Sequence, residues 1–238
     1  MTTAVNEPST LIDRIERVRE RMRDAARRAN RAADKITLVA VSKTHPVAAI
    51  QAAMSCGLAE FGENRVQEAE HKIPVIGREP AKWHLIGHLQ SNKARRAVEL
   101  FDVIHSLDSA ALALRLNRIC EEIQRDSLPV LIQVDLGHEA TKNGVDEAEV
   151  REVAATVRGC SRLKLTGLMT LPPFFEEAER VRPYFQRLRE LRDQMNAEES
   201  FANQPGELSM GMTHDFEIAI EEGATMVRVG TAIFGERE

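Results

Sequence analysis

Lys43 stands where a buried strand is predicted to end, a place in which a lysine can do carbonyl chemistry. The run I-T-L-V-A-V over residues 36–41 is apolar and β-branched, which is typical of a strand buried on both faces. Pro46 follows shortly and can occupy the first position of a helix. A lysine half-buried in such a wall loses solvation, which favours the neutral amine that attacks carbonyl groups. Alternatively, Lys43 marks the strand end and extends its amine into water, as most lysines do.

Two loops near the C-terminus carry the small and hydroxyl-bearing residues that bind phosphate. L-S-M-G-M-T-H-D covers the end of the seventh predicted strand, and V-R-V-G-T-A covers the end of the eighth. Hydroxyl groups, small side chains and backbone N–H groups near predicted helix starts suit a phosphate dianion. Either loop alone would be interpreted as an ordinary turn, but two on adjacent strands favour a phosphate site. The candidate residues are Ser209, Gly211, Gly230 and Thr231.

A lysine and a phosphate site on one rim point to pyridoxal 5'-phosphate (PLP), which has an aldehyde for the amine and a phosphate for the loops. Arg228 lies two residues before Gly230, so both face the same side of the strand, and Arg228 could reach the pyridine nitrogen. A permanently charged arginine disfavours protonation of that nitrogen and weakens the ring as an electron sink. The alternative for Arg228 is a structural ion pair.

Other polar residues at predicted strand ends carry weaker signals. His84 and His88 have no carboxylate or cysteine to complete a metal site, so we predict no metal and count His84 as a candidate cofactor-binding residue. Asp135 could act as a base but more often such a residue braces a strand end. The polar loop after the fifth strand offers Lys142, which could accept PLP during transfer.

The elements that must position these residues alternate along the chain. After the run that starts at residue 36, strands are predicted over 58–63, 82–87, 101–107, 129–135, 163–169, 207–210 and 225–230, with helices between them. Eight such repeats in a chain near ~250 residues predict a single (β/α)8 barrel. An open doubly wound sheet is the alternative, but no G-x-G-x-x-G follows the first strand.

A further helix is predicted before the first strand. Apolar residues recur at steps of four and three over about residues 9–31, which indicates an amphipathic helix packed on the barrel: Leu11, Ile15, Val18, Met22, Ala25 and Ala29. No linker divides the sequence, so we expect one domain over 1–238, with the barrel over 36–238.

Composition narrows the function classes. The 238 residues carry a net charge of -5, which argues against nucleic acid as a partner. No apolar run approaches a membrane span, and the N-terminal residues lack a signal-peptide pattern. The three cysteines are widely spaced and argue against a disulfide framework. We therefore expect a cytoplasmic protein, and a monomer.

Several long motifs are similar to those of the YggS/PROSC family of pyridoxal phosphate homeostasis proteins. They are L-V-A-V-S-K-T-H-P at 38–46, F-G-E-N-R-V-Q-E at 61–68, W-H-L-I-G-H-L-Q-S-N-K at 83–93, G-L-M-T at 167–170, and the stretch from L-S-M-G-M-T at 208 to A-I-F-G at 235. One departure is Thr213-His214, where many members carry Ser and a small residue. The resemblance covers nearly the whole chain.

The resemblance implies a barrel like the N-terminal domain of alanine racemase, with PLP held as an aldimine on Lys43. It further implies that Asn64 and Met169 line the cofactor, that Arg228 lies near the ring nitrogen, and that the phosphate contacts come from Ser209, Gly230 and Thr231. Family members bind, store or hand over PLP, with PLP-dependent apo-enzymes as possible recipients, and have no established catalytic activity.

The alternative function is a PLP-dependent amino-acid racemase. Racemisation by two bases needs a second acid/base, which by resemblance is a tyrosine from a second domain of a partner subunit. We expect no such domain, because the sequence ends after the eighth strand, and the single tyrosine, Tyr184, falls on a predicted outer helix. The sequence therefore favours a PLP carrier.

Overall fold

Parallel strands close on themselves around a buried interior in the computed structural model, which describes residues 10–137 and 143–235. Eight of the strands form the ring, since β1 pairs with β2 and β9 while β4 pairs with β5. The predicted (β/α)8 barrel is confirmed. The strands are β1 (Thr37–Val41), β2 (Glu60–Glu63), β3 (Lys82–Leu85), β4 (Val103–Leu107), β5 (Leu128–Asp135), the two-residue β6 (Val145–Asp146), β7 (Leu163–Thr170), β8 (Glu207–Ser209) and β9 (Met226–Val229).

Helices alternate with these strands and cover the outside of the ring. They are α1 (Leu11–Arg28), α2 (Val47–Ser55), α3 (Val66–Ile76), α4 (Ala94–Leu100), α5 (Ala110–Glu122), α6 (Val150–Arg158), α7 (Arg182–Ala197), α8 (Phe216–Glu221) and α9 (Thr231–Phe234). Each long helix buries an apolar stripe on the barrel, as in α5, where Leu112, Leu116 and Ile119 are buried.

The extra N-terminal helix is present as α1. Thr10 caps it, and Asp13 completes a reciprocal capping box by accepting from the backbone of Thr10. The helix packs against α8 and α9, and Arg14 Nε donates to the carbonyl of Ile233 at 2.7 Å. Arg21 also pairs with Glu217 of α8 at 2.6 Å. Helix α1 thus covers the side of the barrel that carries α8 and α9.

Several element boundaries differ from the prediction. Pro46 is the extended residue before α2, with φ -71° and ψ 162°, and does not begin the helix. The helix expected over about residues 64–72 is α3, which begins at Val66, ends at Ile76 and contains Pro74. The strand β6 was not predicted, because two residues paired to the end of β5 are too short to show an alternating pattern. Lys142 lies outside the described residues.

Strand register explains how distant sequence motifs meet. Ala40 of β1 lies beside Val229 of β9 in a parallel pair. The residues that follow both strands therefore emerge together at the C-terminal end of the barrel. Lys43 follows β1, and Gly230 follows β9, so closure of the ring brings the lysine turn to the predicted phosphate loop.

Candidate functional site

Lys43 lies in a tight turn that begins directly after β1. The backbone N–H of His45 donates to the carbonyl of Ser42 at 3.1 Å, which closes the turn. Thr44 has a φ of 67°, an uncommon conformation for a β-branched residue. Its N–H donates to Glu68 Oε2 at 2.7 Å, which holds this strained backbone in place. Strained residues cluster at functional sites, so the turn is a candidate for one.

A cavity of about 410 Å³ joins Lys43 to the residues after β9. This volume is within the range of about 300–1,000 Å³ that is usual for small-molecule sites. Within residues 10–137 and 143–235 the lining contains an amine, hydroxyl groups and glycine backbone, but no carboxylate: Val41, Lys43, Thr44, His45, Gly230, Thr231 and Gly235. These groups match a ligand that has an anionic group for the hydroxyl and N–H donors and a carbonyl group for the amine of Lys43. The structure thus brings together Lys43, Gly230 and Thr231 as predicted.

Thr213 is a residue of this region that sequence analysis did not select. The N–H of Gly230 donates to Thr213 Oγ1 at 3.4 Å, so the hydroxyl lies against the loop after β9. Its signal in the sequence was a hydroxyl in M-G-M-T, in the loop before α8. Among the sequence motifs, Thr213 stands out only as a departure from the family pattern.

Gly211 acts through its backbone. It has a φ of 90°, and a Cβ added there would lie 2.5 Å from the Cβ of Ala219 and 2.9 Å from the Cα of Phe216. Only glycine therefore lets the loop after β8 approach α8 so closely. The Gly211 carbonyl accepts from the N–H of Arg228 at 3.0 Å, which ties this loop to β9.

Arg228 and Ser209 are both buried inside the barrel, with exposed fractions of 2% and 0%. Arg228 Nη1 donates to Ser209 Oγ at 2.6 Å, and Nη2 donates to the carbonyl of Thr170 at 2.8 Å. Burial lowers the pKa of Arg228 to about 10, with Asp215 opposing the shift, so the guanidinium stays charged at neutral pH. The Ser209 hydroxyl is bonded to Arg228 and His105, and its expected contact with phosphate stays a prediction.

The other predicted cofactor residues lie apart from the 410 Å³ cavity lining. Asn64 follows β2 and lines a second cavity of about 630 Å³ with His88 and Lys93. The bond between Thr44 and Glu68 connects the walls of the two cavities, since each residue lines one of them. Met169 is buried with Val103 and Leu131 in a small apolar cluster. His84 is fully buried and bonded to Glu60 and His105, so its role at the cofactor stays a prediction.

A buried ion pair supports the end of β1 beside Lys43. Lys72 Nζ donates to the carbonyl of Ser42 at 2.9 Å and to Glu63 Oε1 at 2.8 Å. Ser42 Oγ donates to the same carboxylate oxygen at 2.7 Å. Burial raises the pKa of Glu63 even though the bonds from Lys72 and Ser42 oppose the shift. This cluster fixes the backbone from which Lys43 extends, and sequence analysis did not identify it.

Within residues 10–137 and 143–235, no three His, Cys, Asp or Glu side chains lie together as metal ligands. Among the helices that the structure describes, none combines the length and apolar character needed to cross a bilayer.

Curated relatives resemble the chain over nearly its full length. A family model for the alanine racemase N-terminal domain matches residues 14–238. The pyridoxal phosphate homeostasis protein of Aquifex aeolicus is 44% identical over 232 residues, which cover 95% of this chain and 98% of that protein. The protein of the same name from Escherichia coli K12 is 42% identical over 227 residues, with 94% and 95% covered.

Solved structures show the same relationship in three dimensions. PipY of Synechococcus elongatus, solved with PLP bound, superposes with a TM-score of 0.83 at 38% identity, covering 95% of this chain and all of that one. Its PLP-free structure gives a TM-score of 0.84. Alanine racemase from Corynebacterium glutamicum shares the fold, with a TM-score of 0.65 at 20% identity over 95% of this chain and 61% of the racemase. The chain therefore belongs to the family of pyridoxal phosphate homeostasis proteins, within the alanine racemase N-terminal domain fold.

Proposed function

We propose that the chain binds PLP in the 410 Å³ cavity beside Lys43 and takes part in PLP homeostasis. The observation that carries this proposal is the cavity shared by an amine and phosphate-type donors, with no acidic side chain among the lining residues that the structure describes. The names of the curated relatives and the PLP-bound PipY structure support the same ligand.

Each part of the cofactor has a matching group in this chain. Lys43 Nζ forms the covalent link to the aldehyde carbon with loss of water. Thr231 and the backbone of Gly230, which line the cavity, would hold the phosphate together with Thr213, whose hydroxyl lies against Gly230 from the neighbouring loop. Arg228 would face the ring nitrogen, with Ser209 Oγ accepting from its Nη1. Bound PLP supplies a reactive aldehyde and an electron-accepting ring.

We infer that the protein carries PLP without turning over amino acids. Tyr184, the single tyrosine of the sequence, lies on α7, where its ring stacks on Phe175 at 5.9 Å between centroids. This position on an outer helix does not suit a second acid/base. Arg228 beside the ring nitrogen also weakens carbanion stabilisation, because a charged guanidinium disfavours a protonated ring.

The first experiment tests cofactor attachment. Protein loaded with PLP is expected to show a visible absorbance band that borohydride removes, and mass mapping should then locate the reduced label on Lys43. A label on Lys93, or on Lys142 in place of Lys43, would contradict the assignment. Lys93 is a matched comparison, since it lines the neighbouring cavity.

A second experiment separates a carrier from a racemase. Loaded protein is incubated with single enantiomers of alanine and serine in deuterated water. We expect α-deuteration no faster than with free PLP. Faster deuteration with inversion would make the protein an enzyme.

We further propose that the protein is a cytoplasmic monomer that hands PLP to PLP-dependent apo-enzymes. An open cavity beside the cofactor suits exchange, because PLP must enter and leave. Light scattering of the purified protein checks the monomer. Activation of a PLP-dependent apo-enzyme by the loaded protein, compared with an equal amount of free PLP, checks the transfer.

A further inference from the structure

Five polar side chains form a continuous chain of hydrogen bonds through the barrel. Arg228 Nη1 contacts Ser209 Oγ at 2.6 Å, and Ser209 Oγ contacts His105 Nδ1 at 2.8 Å. His105 Nε2 contacts His84 Nδ1 at 2.8 Å, and His84 Nε2 contacts Glu60 Oε2. We call these five residues the interior relay. It crosses the interior, because His105 is on β4 and Ser209 is on β8, which are not neighbouring strands.

The two ends of the interior relay fix the position of every proton in it. Arg228 can only donate, and an ionised Glu60 can only accept. Ser209 must therefore accept from Arg228 and donate its hydroxyl proton to His105 Nδ1. His105 then donates from Nε2 to His84 Nδ1, and His84 donates from Nε2 to Glu60. With neutral histidines, the reverse direction would need a protonated Glu60 and would leave the Ser209 hydroxyl proton without an acceptor in the relay.

Burial supports the neutral histidines that this arrangement requires. Burial lowers the pKa of His84, against the opposing effect of Glu60, and holds the pKa of His105 well below its usual value. Burial also acts to raise the pKa of Glu60, but its bonds to His84 and the nearby Lys82 outweigh this and lower it. Glu60 keeps some contact with solvent, since it lines a cavity of about 430 Å³ with Lys82 and Glu79.

We propose that Glu60, His84, His105 and Ser209 are positioning residues, which hold Arg228 against the cofactor by a one-way hydrogen-bond relay anchored at Glu60. Only Arg228 would contact the ring, and the other four act through it. The relay also explains why His84 is buried in the interior yet linked to the site. Its effect on PLP rests on the proposed function, whereas the direction of the relay does not.

The direction is tested in the protein without cofactor. Nitrogen-15 NMR of the histidine rings at neutral pH should show His84 and His105 neutral, each with its proton on Nε2. Assignment uses the His84→Gln and His105→Gln variants, and the exposed His71 serves as an internal reference. A proton on Nδ1 of either ring, or a charged ring, would overturn the proposal whether or not the protein binds PLP.

The positioning role is tested with three variants of the loaded protein. Glu60→Gln removes the charged acceptor, and Ser209→Ala breaks the relay beside Arg228. Glu79→Gln is the matched control, because Glu79 lines the same cavity as Glu60 but lies outside the relay. We expect Glu60→Gln to move part of the His84 proton to Nδ1, shift the PLP absorbance maximum and weaken PLP binding by roughly twofold to tenfold, the range for one hydrogen bond.

Ser209→Ala should change the absorbance maximum and PLP affinity more than Glu60→Gln, since it leaves Arg228 and His105 without their shared partner. Glu79→Gln should change neither. If Glu60→Gln leaves the His84 proton, the absorbance maximum and the affinity as in Glu79→Gln, the positioning role is wrong. If no variant binds PLP and the wild type does not either, the proposed function fails while the NMR result still decides the direction of the relay.

Discussion

Lys43 and Lys72 both lie at the C-terminal end of β1, but the groups that surround their amines differ. Lys72 is 8% exposed and donates to Glu63 and to the carbonyl of Ser42. Lys43 is half-buried and faces a cavity whose described lining residues include no carboxylate. Among residues 10–137 and 143–235, no hydrogen bond or ion pair to the Lys43 amine is found.

The comparison shows that burial alone does not identify a reactive lysine. A buried amine that donates to both a carboxylate and a carbonyl is held in place by those acceptors and serves the structure. An amine on an open cavity, next to donors for a phosphate, has room for a carbonyl partner. Lys72 also helps to fix the position of Lys43, because it donates to the backbone carbonyl of Ser42, the residue before Lys43.

The largest expected effect distinguishes the two lysines by chemistry. Lys43→Ala should abolish the borohydride-sensitive absorbance band, because it removes the amine that forms the covalent link. Lys72→Met should keep the band in the folded protein, since Lys72 does not face the cavity. Absorbance spectra of both variants loaded with PLP check this. A band that survives in Lys43→Ala would mean that Lys43 is not the lysine that forms the covalent link.

The next effect is on stability and concerns Lys72. Lys72→Met should lower the free energy of unfolding by about 3 kcal/mol, the lower end of the range for breaking a buried ion pair. The cause is Glu63, which would keep a buried charge without its partner. Urea unfolding measures the change. The double variant Lys72→Met, Glu63→Gln should recover most of the loss, and no recovery would mean that the pair is not the cause.

The barrel and the meeting of Lys43 with Gly230 and Thr231 were predictable from the sequence. Eight alternating repeats close a ring, and closure necessarily places the first strand beside the last. Long motifs then predicted the chemistry at the ends of those two strands. Here the sequence determines the neighbours, because strand order in a barrel follows chain order.

The interior relay and the Lys72 pair were not predictable in the same way. Contacts such as His105 with Ser209 join non-neighbouring strands and depend on the tilt and stagger of the barrel. Lys72 lies on a helix whose pattern does not show that one turn faces Glu63. For the same reason Ser209, at a strand end, was expected at the rim, whereas its side chain points into the interior.

A smaller effect concerns the phosphate side of the cavity that Lys43 faces. Thr231→Val and Thr213→Val should each weaken PLP binding by about 1.5–3 kcal/mol, since each removes a hydrogen bond to a charged group at nearly constant volume. Neither variant should change the binding of pyridoxal, which has no phosphate. Titrations with both ligands check this. An equal loss for pyridoxal would place the phosphate elsewhere.

The smallest effect is a pH dependence of stability that belongs to the Lys72 side of the comparison. The pKa of Glu63 is raised in the folded protein above its usual value of 4.5, because burial disfavours the charged carboxylate. The folded state therefore binds the proton more tightly than the unfolded state. This contribution to stability is fully present below the usual value and is lost as pH rises through the raised pKa.

Glu63→Gln cannot titrate, so the stability of the wild type minus that of Glu63→Gln should fall as pH rises above 4.5. Urea unfolding of both proteins at a series of pH values measures the difference. A difference that grows with pH would mean that the bonds from Lys72 and Ser42 outweigh burial, and Glu63 would then have a lowered pKa.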